Sequence, residues 1–499
     1  MSNRAQGGAP RRIDPQNPPY PQLRALLRSV YNAKTLTRLA QHQGFSELQY
    51  RIGLNDDLDD LIDEVFELAR TRLMWEELLN AIADESPRHY NELAARLGWP
   101  TVDVPPPAPV NDSASKPEVP TLPEQRPERG EVEIHIADRT GDGYRIHLRA
   151  PTGQVDSILV PPWTPEQQER LLFALEEQGA TLEAFVQDEM RPGDANALVP
   201  IGRKLFSALF PEHVETRYKI AVDTPPGIRL RLRIDPPEMQ ALPWELLYDD
   251  ERHQFLALFD KSLITRFLAV AYGHPPLTVA PPLRILLVTA SPSGYIPLQV
   301  EEEVDDVLEA LTNMEREGMV KVEPFRHAGL LTLRTKVLDF QPHVVHFIGH
   351  GMADREGGYL VLEKPDGTGQ RVSGSKLASV LSTTSSVRLV LLNACLTARG
   401  AGLTVDDFYQ LRHALLGIGP ALIGVGLGAV IAMQFSMRDQ SARAFAEDFY
   451  QSLARLRPVD EAVWLGRQRL MLEFDEEQRD WATPVLFLRS RDGVIFRRS

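Results

Sequence analysis

One thiol and one imidazole carry most of the chemical interest of this chain. Cys395, the only cysteine in 499 residues, closes the apolar run "VRLVLLNAC". His350 closes another, "HVVHFIGHG", where it stands between Gly349 and Gly351. A thiol attacks only as its thiolate, and at neutral pH a neighbouring imidazole is the usual base that produces one. If the two runs are adjacent strands, the 45 residues separating His350 from Cys395 are ample for a crossover. The competing reading is inert packing, because free cysteine is among the most buried residue types and reacts only in a special environment.

Two more histidines compete for the role of base. His346 lies inside its apolar run and reads as a satisfied core residue, whereas His343 precedes the run and reads as exposed. Residues three apart on an extended strand face opposite sides, so these histidines make a poor metal set. A single cysteine supplies neither a multi-thiolate zinc site nor an internal disulfide, which predicts a reducing, intracellular setting.

The elements that must position these groups begin near residue 281. "LRILLVTASP", "VKVEPF", "HVVHFIGHG", "VRLVLLNAC" and "AVIAMQF" read as strands. An amphipathic helix carrying Val304, Val307, Leu308 and Leu311 follows the first of them, and "LLTLRTKVLDF" forms another. Alternating strands and helices with nearly continuous apolar strands predict an α/β fold, a mostly parallel sheet covered by helices on both faces. In such a sheet, ligands bind beyond the carboxyl ends of the strands, the rim to which both His350 and Cys395 are assigned. The glycines beside His350 allow another backbone or a substrate to approach closely.

Upstream, residues 1–100 read as a small helical bundle, with Leu23, Leu26, Leu27 and Val30, then Leu58, Leu61, Ile62, Val65 and Leu68, at helical spacing. Residues 101–130 contain eight prolines and form a linker, semi-rigid where prolines are adjacent. Residues 131–280 form a smaller α/β segment that opens with the hairpin "EVEIHIADRTGDGYRIHLRA" and continues through the strand "IRLRLRID". Its acids and histidines are scattered, and Trp244 in "LPWELLYDD" reads as packing.

Charge and patterning exclude several functions. A formal net charge of -15 argues against nucleic acid as a partner, since phosphate binding needs clustered Lys and Arg. The amino terminus lacks the apolar stretch of a secretory signal, so the expected location is cytoplasmic. Residues 415–433, "LLGIGPALIGVGLGAVIAM", hold no charge, but Pro420 and five glycines break them into a buried helix, a turn and a strand instead of a membrane span. The "GVGLG" within them completes no phosphate-binding motif.

"VVHFIGHG", "VRLVLLNAC", "GAVIAMQFSMRDQSARAFAEDFYQSLA" and the closing "WATPVLFLRS" together resemble the CHAT domain, a caspase- and separase-related cysteine peptidase module, over residues 283–490. The resemblance implies a caspase-like fold in which Cys395 is the nucleophile, His350 the general base, and the backbone N–H groups of Gly351 and Cys395 the oxyanion donors. It implies no cofactor, no metal and no third acidic member, so Asp354 and Asp439 read as loop and helix-start carboxylates. The residue two before the nucleophile helps line the specificity pocket in caspases and metacaspases. Here it is the neutral Asn393, which supports neither Asp nor Lys/Arg specificity and reads equally as a cap on local backbone.

The middle segment resembles the region that commonly precedes CHAT cores, and in separase-like enzymes an inactive caspase-like half buttresses the active one. The amino-terminal bundle resembles the effector-associated, death-like domains of bacterial conflict systems, which implies a protein partner recruited through it. Together these resemblances imply a caspase-like cysteine endopeptidase acting on a protein substrate in bacterial defence or regulated cell death. The alternative they leave open is a catalytically silent CHAT-fold scaffold that acts through its adaptor domain.

Overall fold

The structure is a computed structural model that describes residues 128–268, 275–295, 300–354, 357–395, 417–474 and 478–499, with scattered positions in the first hundred residues. The chain divides into two compact units, Met1–Glu124 and Gln125–Ser499. In the first unit the described residues from Tyr20 to Leu97 are helical, and Leu23, Leu27, Ile62, Val65, Phe66, Leu79, Ile82 and Ala94 are buried. The Tyr20 and Phe66 rings lie 5.4 Å apart. The helical periodicity of Leu23, Leu27, Ile62 and Val65 thus marks buried positions, while Leu26, Val30, Leu58, Leu61, Leu68 and the proline-rich linker as far as residue 127 fall outside the described residues.

The second unit is organised by a single sheet, 13-stranded among the described residues. In chain order the strands are β1 (Gly130–Thr140), β2 (Gly143–Ala150), β3 (Gly153–Leu159), β4 (Ile228–Ile234), β5 (Ser262–Phe267), β6 (Leu283–Ala290), β7 (Val320–Phe325), β8 (Val344–Asp354), β9 (Gly357–Glu363), β10 (Gly369–Ser373), β11 (Leu389–Cys395), β12 (Ala429–Met433) and β13 (Pro484–Leu488). They run in the order β7-β6-β8-β11-β12-β13-β5-β4-β1-β2-β3, with the β9–β10 hairpin attached to the end of β8. The expected parallel core is β7, β6, β8, β11 and β12, and β13 is antiparallel to β12.

Helices cover both faces of that core. On one face pack α5 (Val300–Arg316), α9 (Asp439–Ala454) and α10 (Val459–Phe474), against Ile285, Leu287, Val344, Ile348, Leu389, Leu391 and Ile431. The other face receives α6 (Leu330–Phe340), α7 (Gly374–Leu381) and α8 (417–424), against Leu286, Val288, Val345, Phe347, Val390, Leu392 and Val430. Because both faces are dry, consecutive strand residues must all be apolar, and this accounts for the uninterrupted runs in the sequence. The uncharged stretch at 415–433 resolves into α8 and β12. No helix of the described residues is long and apolar enough to cross a membrane.

Residues 131–280 add their own parallel strands, β1, β4 and β5, to the same sheet, and α1 (Pro165–Glu177), α2 (Gly179–Val186), α3 (Leu198–Leu209) and α4 (Glu212–Asp223) pack beside them. The seam is the parallel pairing of β13 with β5, Phe487 opposite Arg266 and Leu488 opposite Phe267. Because β13 is antiparallel to β12, the carboxyl ends of β4 and β5 lie at the rim opposite that of β8 and β11. Trp244 is fully buried and donates its indole N–H to the carbonyl of Met239 at 2.7 Å, which fits its reading as packing.

Ion pairs hold the seam. Arg266 and Glu245 lie 2.7 Å apart with side chains 3% and 2% exposed, and Gln434, just past β12, donates to Glu245 at 3.0 Å. Burial pushes the Glu245 carboxyl up, but the guanidinium of Arg266, assisted by Arg467, outweighs burial and holds it below its usual value. A second buried pair, Arg479 with Glu176 at 3.1 Å, ties the segment before β13 to α1.

His343 corrects one expectation: instead of being exposed it is buried, because it pins three strands. Its Nδ1 accepts from the backbone N–H of Arg284 at 3.1 Å, its own N–H donates to the carbonyl of Arg284 at 2.9 Å, and its carbonyl accepts from the N–H of Arg388 at 3.0 Å. Burial, then the charges of Arg284 and Arg388, push its imidazole down to about 4.

Removing one partner of a buried ion pair strands the other, so Glu245→Ala should lower stability by about 3–5 kcal/mol in chemical denaturation. Replacing both members, as Glu245→Leu with Arg266→Met, should restore much of that loss. For His343 the unfolded chain takes up a proton near 6.5 and the folded chain only near 4. The unfolded state therefore binds more protons between those values, and stability falls as pH drops through this window. Urea unfolding at stepped pH should show that fall, at up to about 1.4 kcal/mol per pH unit from this residue, and His343→Gln should flatten it; equal slopes would contradict the assignment.

Candidate active site

The site is built at the carboxyl end of β11, where the parallel pairing of β8 stops while β8 itself runs on to Asp354. These strands pair in parallel from Val344 opposite Leu389 to His350 opposite Cys395, so the two residues are direct register partners. The face of β8 that carries His350 is the one covered by α5 and α9, since Val344 and Ile348, which share its alternation, pack there. The 45-residue separation is filled by the β9–β10 hairpin and α7.

His350 stands where its strand changes partners. Up to Gly349 the far side of β8 is occupied by β6, whose last residue, Ala290, faces Gly349. From His350 onward that side is taken by β9, with Val361 opposite His350 and Leu360 opposite Gly351. The exchange explains Gly349: a Cβ there would stand 2.8 Å from the carbonyl oxygen of Ala290 and from the Phe347 ring. The close approach expected at these glycines is thus made by the protein's own backbone.

The His350 side chain is 1% exposed, and the ring of Tyr295, which follows β6, lies 5.3 Å from it at 37°. Gly369 of β10 makes room for Tyr295, since a Cβ at that position would meet its ring at 2.4 Å. Tyr295 carries no motif, and its place beside His350 depends on a turn and a hairpin remote in sequence. The loop after β6 is nevertheless a legible place to look, because the strand order β7-β6-β8 makes the gap between β6 and β8 the switch point of the sheet.

His346 lies four residues earlier on the same face, deep in the core. Tyr450 of α9 shares a hydrogen bond with its Nδ1 at 3.1 Å, and burial pushes the imidazole down to about 3, so it stays neutral. This matches its reading as a core histidine and leaves His350 as the imidazole where the parallel pairing of β8 stops. Asp354 ends β8 opposite Gly357 and Asp439 opens α9; the side chains of both, and of Cys395, lie outside the described residues.

Asn393 is 6% exposed, and its Nδ2 donates to Oε1 of Glu303 in the first turn of α5. Glu303 is not legible as a site residue in the sequence, since the run "EEEVDD" reads as an ordinary acidic helix start. Among the described residues no three His, Cys, Asp or Glu side chains converge as metal ligands would. The chemistry this rim offers is that of an imidazole paired with a thiol-bearing strand end, beside a buried amide held by a carboxylate.

The family model of the CHAT domain matches residues 199–488, beginning well upstream of the stretch whose motifs carry the resemblance. Similar solved structures include the Saccharomyces cerevisiae separase–securin complex, at a TM-score of 0.39 and 10% identity, covering 72% of this chain and 30% of that one. They also include the Arg-specific cysteine proteinase gingipain R, at a TM-score of 0.32 and 12% identity, covering 62% of this chain and 70% of that one. The chain therefore spans less than a third of the separase chain, of which 30% is covered. No curated protein matches it. Since the match takes in more than half of its residues, the chain belongs to the CHAT domain family.

Proposed function

We propose that this chain is a caspase-like cysteine endopeptidase that cleaves a protein substrate through Cys395 and His350. The observation that carries the reading is the register of β8 and β11, which makes the two residues direct partners where the parallel pairing stops, in a chain of the CHAT family. His350 takes the proton of Cys395, and the thiolate attacks the carbonyl carbon of the scissile bond. The oxyanion that forms is held by the backbone N–H groups of Gly351 and Cys395. His350 then delivers its proton to the leaving amine as the C–N bond breaks, and water, deprotonated by the same imidazole, hydrolyses the thioester.

The ring of Tyr295 supports this cycle. Packed 5.3 Å from the imidazole, the Tyr295 ring helps to fix its position beside β11. No third carboxylate is required. The helical residues of the first unit serve as a recruiting module for a protein partner, and the setting is a cytoplasmic defence or regulated-death pathway.

The reading makes direct demands. Cys395→Ala and His350→Ala should each abolish cleavage of protein substrates by the purified full chain, a loss of at least about 10³-fold, with thermal unfolding little changed in Cys395→Ala. Undiminished cleavage by either variant would remove the dyad from the mechanism.

A further inference from the structure

Histidines and acids that are scattered along the middle of the sequence are gathered by the sheet into one row. His135 of β1 and His147 of β2 are direct register partners, and their rings lie 5.7 Å apart at 40°. His147 is in turn the register partner of Asp156 of β3, whose carboxylate lies 2.7 Å from its Nδ1. On the other side Asp235, the residue after β4, lies 2.6 Å from Nε2 of His135. The row occupies the solvent face of the hairpin: Ile134, Ile136, Ile146 and Leu148 beside it in sequence are buried, whereas the side chains of His135 and His147 are 21% and 44% exposed. Directly after His135 the β1–β2 register shifts, between Ile136 and Arg139, and such irregularities re-aim the side chains next to them.

An ionised carboxylate can only accept, so each imidazole in its neutral form donates the N–H of the nitrogen that faces its aspartate and keeps the lone pair on the other. The nitrogens so left are Nδ1 of His135 and Nε2 of His147, and among the described residues neither receives a hydrogen bond. Metal-binding histidines are held in this way, with a carboxylate on the second nitrogen that fixes the tautomer and makes the ligand more basic. Spacing agrees. Two imidazoles that share one tetrahedral zinc, at Zn–N bonds of about 2.0–2.1 Å, have ring centroids about 5 Å apart, which a small side-chain rotation reaches from the 5.7 Å found here. The charges permit a cation as well. The two aspartates outweigh Arg233, which bonds Asp235 at 3.2 and 3.3 Å, and Arg145 and Arg149, which flank His147 on β2, are exposed to solvent, where a charge counts for little.

We propose that His135 and His147 form a site for a divalent transition ion of the zinc class, with Asp156 and Asp235 as the groups that hold the two rings. Imidazole suits Zn²⁺, Ni²⁺ and Cu²⁺, whereas Mg²⁺ and Ca²⁺ take oxygen ligands. No third His, Cys, Asp or Glu converges on the pair among the described residues, so water completes the coordination. One bound ion joins β1 to β2 and, through the aspartates, draws β3 and the end of β4 into the same brace. These strands stand at the opposite end of the sheet order from β8 and β11, so the ion acts on the stability of the earlier half, and the peptidase reading does not depend on it.

The full chain carrying Cys395→Ala is the parent for the test, because it lacks the one thiol that would compete for such an ion. Titrated calorimetrically with Zn²⁺, the parent should take up an ion whose affinity falls at least about 100-fold when His135→Ala or His147→Ala is added, and about tenfold with Asp156→Asn. An excess of Mg²⁺ should not displace it. An ion that binds only the folded chain raises its stability, so Zn²⁺ should raise the unfolding temperature of the parent more than that of either histidine variant. Both histidines stand on the solvent face, so without metal the variants should unfold at the temperature of the parent, which separates loss of a ligand from loss of the fold. Zn²⁺ uptake that is the same with and without the two histidines, or no saturable uptake at all, would overturn the proposal and leave the row as two histidine–aspartate ion pairs.

Discussion

The parallel register of β8 with β11 is the constraint on which the rest of the molecule depends. A slip of one residue would end the pairing of His350 with Cys395 and bring apolar residues of one core opposite those of the other. The register is secured at its start by His343, just before β8, which is tied to Arg284 in β6 and to Arg388 just before β11. Along its length it is secured by two dry faces, where Val344 and Ile348 belong to one core and Val345 and Phe347 to the other. At its end Gly349 lets β6 come close before β9 takes over. Each device acts on the backbone, and the chemistry at the rim inherits its geometry from them.

Behind that rim the sheet continues without a break into the earlier half of the second unit. The seam between β13 and β5 is short, and buried polar contacts cross it: Gln434 donates to the Glu245 that pairs with Arg266, and Arg479 pairs with Glu176. Buried pairs of this kind add little net stability but penalise any arrangement that separates them. They make the earlier half a rigid backing for α10 and β13, whose neighbour β12 lies directly beside β11. A reactive pair keeps its geometry only when supported in this way.

Much of the core is legible in the sequence, because its signals are local. The apolar runs mark β6, β8, β11 and β12, the Thr-Gly-Asp-Gly turn marks the β1–β2 hairpin, and helical spacing marks α5. The β9–β10 hairpin escapes that reading, although "YLVLEKPDGTGQRV" alternates around a turn, because its place beyond the end of β6 depends on tertiary pairing. The same holds for the seam at β13, since parallel pairing between distant segments leaves no mark in either. His343 reads as exposed in the sequence because its burial comes from neighbouring strand starts. His350, Gly351, Asn393 and Cys395 can be named from motif and strand order, but Tyr295 and Glu303 reach the site from a loop and a helix that carry no local signature of their role.

The central claim is that His350 governs the ionisation of Cys395. Alkylation of the full chain by iodoacetamide across pH, followed by intact mass, reads one thiol without the need for a substrate. The account predicts an apparent pKa well below the roughly 8.5 of a free thiol in the wild type, returning toward that value in His350→Ala. A wild-type profile that matches the variant at every pH would contradict it.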